Sequence, residues 1–139
     1  MILVIRISGL VDMNEKAEQM LYRLRLRRKY SAVLLKPTVE NQKILQQIRN
    51  FVAFGDISKE TLVELIKKRG ISKVKTKKLD AESVILNIEK KHASDWDIKP
   101  FFRLHPPRGG IDSKKHFGVD AGVLGDNKEQ INELVRRML

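Results

Sequence analysis

The residues of this sequence with obvious chemical potential are its cations. Arg23, Arg25, Arg27, Arg28 and Lys29 lie close together with no acid among them. Lys67, Lys68, Arg69, Lys73, Lys75, Lys77 and Lys78 form a second acid-free run. Ordinary surfaces intersperse signs because like charges repel, so two such runs in one short chain point to phosphate binding. A looser third group surrounds PPRGG at Pro106 to Gly110, where Arg108 sits between stiff prolines and flexible glycines, and continues through Lys114, Lys115, His116 and Phe117. Glycine lets a backbone approach a phosphate closely, and arginine can fork onto a phosphate or stack on a base.

Catalytic chemistry finds no comparable pattern. His92, His105 and His116 are isolated from one another, and there is no cysteine, so neither a nucleophilic thiolate nor a Cys-containing zinc site can be built. No glycine-rich phosphate loop, dinucleotide fingerprint or Ser-centred elbow occurs. Asp95 and Asp97 flank Trp96, but residues two apart do not face each other on a helix, and a polar edge around a half-buried tryptophan explains them better. An enzyme is not expected, nor a cofactor, a metal or a small-molecule substrate.

The overall charge agrees with the clusters. The chain has 28 Lys plus Arg against 17 Asp plus Glu, a net +11, while 42% of its 139 residues are hydrophobic. That is enough apolar material for a folded core, so the basic excess belongs to a folded surface and not to a disordered tail. Each cation that meets a phosphate releases condensed counterions, which makes nucleic acid the first candidate partner and an anionic membrane the second. No apolar run approaches the roughly 20 residues of a transmembrane helix. The start, MILVIRISGLVDMNE, has no basic segment before its apolar stretch and does not read as a signal peptide. The length suits one domain, or a small core with an appended part, and excludes two independent enzymatic domains.

The elements that must position the cations are legible in the first 56 residues. Ile2 to Ile7 alternates as a strand, with Leu3, Ile5 and Ile7 on one face and Ile2, Val4 and Arg6 on the other. Asp12 or Asn14 can cap a helix carrying Met13, Ala17, Met20 or Leu21, and Leu24, with Arg23 and Arg27 sharing a side of its last turn. Tyr30 to Leu35 reads as a second strand, and Thr38 caps a helix through Val39, Ile44, Leu45 and Ile48. Phe51 to Phe54 reads as a third strand ended by Gly55. The expected class is α+β: a βαβαβ core over residues 1–56, three antiparallel strands with two helices on one face, reminiscent of ferredoxin-like folds.

Residues 57–139 are expected to be a helical and irregular extension. Ser58 caps Leu62, Leu65 and Ile66, with Gly70 as the stop; Asp80 caps Ala81, Val84, Ile85 and Ile88; Asp126 and Glu129 form a capping-box pattern before Ile131, Leu134, Val135 and Met138. Between Ser94 and Gly125 no period is visible, yet Trp96, Phe101, Phe102, Leu104 and Phe117 make simple disorder a poor description. The expectation is a long aromatic and basic loop, ordered largely by RNA and protein neighbours.

The strand MILVIRISGL, the basic turn RLRLRRKY from Arg23 to Tyr30, the strand SAVLLK, the PRGG loop and the closing QINELVRRM from Gln130 to Met138 together resemble the ribosomal protein family numbered thirty in bacteria and archaea and seven in eukaryotes. The first part is similar to the short bacterial form and the second to the extension of archaeal and eukaryotic members. Eukaryotic members carry a long Lys-rich N-terminal arm, whereas here the first strand begins at Ile2, so the resemblance favours an archaeal member.

The resemblance implies a core docked on large-subunit rRNA and an extension reaching further RNA, with 5S rRNA a candidate, as well as neighbouring ribosomal proteins. It also implies RNA contact by the turn Arg23 to Lys29 and by the segment around Arg108. The expected function is that of a structural constituent of the large ribosomal subunit in the cytoplasm, which clamps rRNA without catalysis. A free-standing RNA chaperone or regulator is the alternative, and it would leave the aromatic loop exposed.

Overall fold

A computed structural model describes residues 1–75 and 79–139. The described residues form five α-helices and one mixed sheet of six strands in the order β4-β2-β1-β3-β6-β5. The chain begins βαβαβ as expected: β1 (Ile2–Arg6), α1 (Glu15–Arg23), β2 (Ser31–Leu35), α2 (Val39–Ile48) and β3 (Val52–Asp56). β1 lies between β2 and β3, antiparallel to both, with Val4 opposite Val33 and Phe54. Local chemistry sets the helix starts. The Asn14 side chain accepts from Ala17 N at 3.0 Å, and the Thr38 hydroxyl accepts from Asn41 N at 3.3 Å, each satisfying an N–H that the helix itself cannot.

The alternation read in β1 divides the protein into two apolar layers. Ile2 and Val4, with Val33, Val52 and Phe54, pack under Leu21 of α1 and Leu45 and Ile48 of α2. Leu3, Ile5 and Ile7, with Ala32, Leu34 and Ala53, form the opposite face. That face is covered by α3 (Lys59–Arg69), α4 (Ala81–Lys90) and α5 (Ile131–Met138), through Leu65, Ile66, Val84, Ile88, Leu134 and Val135. Val39, expected on the buried stripe of α2, is instead 67% exposed. A fragment ending at residue 56 would leave the second face open to water. We therefore expect it to lose the cooperative urea transition that the full chain shows, since burial of both faces drives folding of so small a sheet.

Gly55 does not end the third strand; it lies inside β3, opposite Leu3, on the face covered by α5. A Cβ there would sit 2.2 Å from the carbonyl oxygen of Lys128 and 3.0 Å from Cβ of Ile131. The missing side chain thus allows the backbone entering α5 to close on the sheet. Gly55→Ala is expected to destabilise the fold by about 2 kcal/mol or more, a typical penalty for overpacking against backbone, which a denaturant melt will measure.

The largest departure from expectation concerns residues 94–125, which are not one unstructured loop. They contain β4 (Phe102–Arg103), β5 (Ser113–His116) and most of β6 (Gly122–Asp126), after a 3-10 turn at Ala93–Asp95. β4 extends the sheet beside β2, while β6 runs parallel to β3 and β5 parallel to β6. Backbone groups between these strands pair within the protein, as in Leu104 N to Tyr30 O at 3.0 Å and His105 N to Met138 O at 3.0 Å. Trp96, Ile98, Phe102, Leu104 and Leu124 belong to the core, so Trp96 is fully buried and not half-buried. No period marks these strands because they are short, and β4 and β6 pair with distant segments. The expected capping box is also replaced: the Asp126 carboxylate accepts from Lys128 N at 2.9 Å, and a 3-10 turn at Lys128–Gln130 leads into α5.

Candidate nucleic-acid interface

The basic turn is built by the way α1 ends. Arg25 N donates to Tyr22 O at 3.0 Å and Leu26 N to Leu21 O at 2.8 Å. This is the double closure of a Schellman cap, with Leu26 buried in the same layer as Leu21. Arg25 occupies the left-handed position of the cap at φ 63°, where glycine is the usual residue. α1 stops at Arg23, so Arg27 lies beyond the helix and does not share its last turn with Arg23. The Arg27 guanidinium instead stacks on Tyr22, 4.2 Å from the ring centroid. A second left-handed residue, Tyr30 at φ 63°, returns the chain to β2.

Arg6 holds this turn from beneath, a role that its place in an apolar strand did not announce. Nη1 donates to Leu26 O at 2.8 Å and Arg27 O at 3.0 Å, Nε to Ser8 O at 3.0 Å, and Nη2 to Gly9 O at 3.2 Å. One guanidinium, 3% exposed, therefore ties the basic turn to the loop after β1. Burial lowers its pKa from the ordinary arginine value while Glu18 pulls the other way, and it stays charged at physiological pH. Arg6 is a positioning residue for the cations above it.

The turn meets the segment that carried no period. Phe101 and Arg103 project on the α1 side of the sheet, while Phe102 between them enters the opposite core. Arg25, Arg27, Arg28, Ser31, Phe101 and Arg103 line an open cleft of about 380 Å³. Four arginines line it without a carboxylate, and the guanidiniums of Arg25, Arg28 and Arg103 make no hydrogen bond or ion pair among the described residues. Arg103 was not among the residues singled out from the sequence. The signal that could have found it is the alternation FFR, which puts an arginine on the face opposite a core phenylalanine. A hollow of about 390 Å³ near α2 and β3 has Asp56 and Asp126 in its lining with Lys43 as its sole cation, so it offers no comparable field.

Arg25 supports a specific expectation. Holding a non-glycine residue in the left-handed region costs roughly 1 kcal/mol. Arg25→Gly should raise stability by about that much while weakening polyanion binding. A melt together with an RNA titration reads both, and a variant that gains in both would separate Arg25 from binding.

The other singled-out residues do not join the cleft. Lys67 and Lys68 are exposed at the end of α3, but Arg69 turns inward, Nη2 reaching Leu139 O at 3.2 Å. Lys73 Nζ donates to Ser94 O at 2.6 Å, and Lys75 is exposed. Lys77 and Lys78 lie outside the described residues. The PRGG loop is clasped by α5: Arg137 Nε donates to Arg108 O at 2.9 Å, and its Nη2 donates to Gly110 O. Gly109 and Gly110 adopt φ 79° and 75° to present those carbonyls, and the Arg108 side chain points outward, exposed. Lys114 and His116 are exposed on β5, whereas Lys115 pairs with Asp120 at 2.5 Å. Among the described residues no three His, Asp or Glu side chains gather as a metal site, and no helix is long and apolar enough to cross a membrane.

Comparison with known proteins yields consistent relatives. The sequence profile of the family Ribosomal protein L30p/L7e matches residues 2–52, which include the basic turn. Over 98% of its length the chain is 36% identical to Large ribosomal subunit protein uL30 of Hyperthermus butylicus, covering 88% of that protein. It is 38% identical to the protein of the same name from Desulfurococcus amylolyticus, over 98% of the chain and 96% of that protein. With the Archaeoglobus fulgidus protein it shares 35% identity over 99% of each. These full-length matches also take in Phe101 and Arg103, beyond the profile.

Proposed function

The chain belongs to the L30p/L7e family of ribosomal proteins, and from that premise we propose that it is a structural constituent of the large ribosomal subunit that clamps rRNA through its arginine cleft. The observation that carries this reading is the convergence of Arg25, Arg27, Arg28 and Arg103, from two distant segments, on a cleft without an acid. Like charges gathered so closely repel in the free protein, and a phosphate backbone relieves that repulsion. The cap, Arg6 and β4 fix the backbone that carries these side chains, so little backbone entropy is lost when RNA binds. No step of chemistry is involved; the protein neutralises phosphates and fixes the relative position of RNA segments.

The exposed Lys67, Lys68, Lys75, Arg108 and Lys114 serve as further phosphate contacts in this reading. Arg69, Lys73 and Lys115, already engaged within the protein, contribute less. The surface of α3 and the PRGG loop then face further RNA, with 5S rRNA a candidate, and neighbouring ribosomal proteins. Co-sedimentation with large subunits washed in high salt tests the assignment. Retention is expected, because many contacts bury the chain among packed RNA. Complete release at moderate salt would favour a free-standing RNA chaperone instead.

A further inference from the structure

We propose that the arginine cleft seats a single unpaired nucleotide, its base stacked on Phe101 and its flanking phosphates held by Arg25, Arg28 and Arg103; this rests on the RNA-binding reading above. The argument starts from size. About 380 Å³ lies at the small end of ligand pockets, which run from roughly 300 to 1,000 Å³, and it has room for one nucleotide. RNA duplexes are met mainly across their phosphates and 2′-hydroxyls, whereas splayed-out bases are caught on aromatic rings and guanidinium planes. A site meant only for duplex phosphates has no use for a phenyl wall.

Phe101 is half-buried, packed against the layer under α1 and α2 while it also lines the cleft. The nearby Arg103 guanidinium stands 5.9 Å from the ring centroid, near the outer limit of a cation–π contact. By comparison, Arg27 lies 4.2 Å from Tyr22, a much tighter contact. Arg103 is therefore free to swing toward a phosphate and leave the phenyl ring to a base. Ser31 Oγ, in the same lining, makes no hydrogen bond among the described residues and can meet a ribose 2′-hydroxyl or a base edge.

The test uses the full chain and two defined probes, a single-stranded octaadenylate RNA with 2-aminopurine at its centre and an eight-base-pair RNA duplex. The wild type should bind the single strand more tightly than the duplex, with 2-aminopurine fluorescence changing on binding. F101L should weaken single-strand binding by roughly five- to hundredfold, the range of one base–aromatic stack, and leave duplex affinity and the salt slope unchanged. F101Y, which keeps a flat ring, should restore single-strand affinity. Upfield shifts of the Phe101 ring protons in the wild type on adding the single strand provide a readout that does not depend on a variant folding. Equal effects of F101L on both probes, or no ring shift on binding, overturn the seat while leaving RNA binding intact. Failure of both probes to bind overturns the RNA reading and the seat with it.

Discussion

Replacing Arg25, Arg27, Arg28 and Arg103 together by glutamine is expected to lower affinity for large-subunit rRNA by about a thousandfold near 0.15 M salt. The magnitude follows from counterion release: four phosphate contacts at roughly 0.9 each in log–log slope give a total near 3.6, which converts to about three decades at that ionic strength. The slope of log K against log salt should flatten by the same 3 to 4 units. Stability should change little, because relief of mutual repulsion offsets the loss of the Arg27 stack on Tyr22. Filter binding across a salt series with a parallel melt checks both parts. An unchanged slope would move RNA binding away from this cleft.

Arg6→Met is expected to destabilise the protein by about 3 kcal/mol, a large share of the roughly 5–15 kcal/mol that holds a domain of this kind. Four carbonyls, of Ser8, Gly9, Leu26 and Arg27, lose a charged donor. Removal of the cost of burying the guanidinium itself recovers only part of that loss. Arg6→Lys should not rescue it, because an ammonium on a single stem cannot reach carbonyls on both sides as the planar fork does. At temperatures where the variant is still folded, its RNA affinity should also fall, since the turn bearing Arg25, Arg27 and Arg28 loses its support. Urea melts and RNA titrations of the two variants measure these effects. A methionine variant as stable as the wild type would show that the turn is held by its cap alone.

Local chemistry explains which features were legible from the sequence. The two faces of β1, the caps at Asn14, Thr38 and Ser58, and the apolar stripes of α3, α4 and α5 follow from spacing that neighbouring residues enforce. Segment 94–125 was not legible in that way: β4 is held by β2 and β6 by β3, both far away in sequence, β5 joins only through β6, and all three are too short to show alternation. The site divides along the same line. Arg25, Arg27 and Arg28 announce themselves as a charge run within one turn, whereas Arg103 reaches the cleft only because β4 docks against β2. Arg6 was placed on the correct face of its strand, but the backbone carbonyls it satisfies come from residues up to 21 positions away. Nor can a charge run show which of its members fold back, as Arg69 and Lys73 do.

The most direct test of the central claim is a cryo-EM map of native large ribosomal subunits that contain this chain. The account predicts density for the protein with the guanidiniums of Arg25, Arg27, Arg28 and Arg103 against rRNA phosphates and the cleft filled by RNA. A map in which the chain is present but this cleft faces solvent, or is covered by another protein, would contradict it.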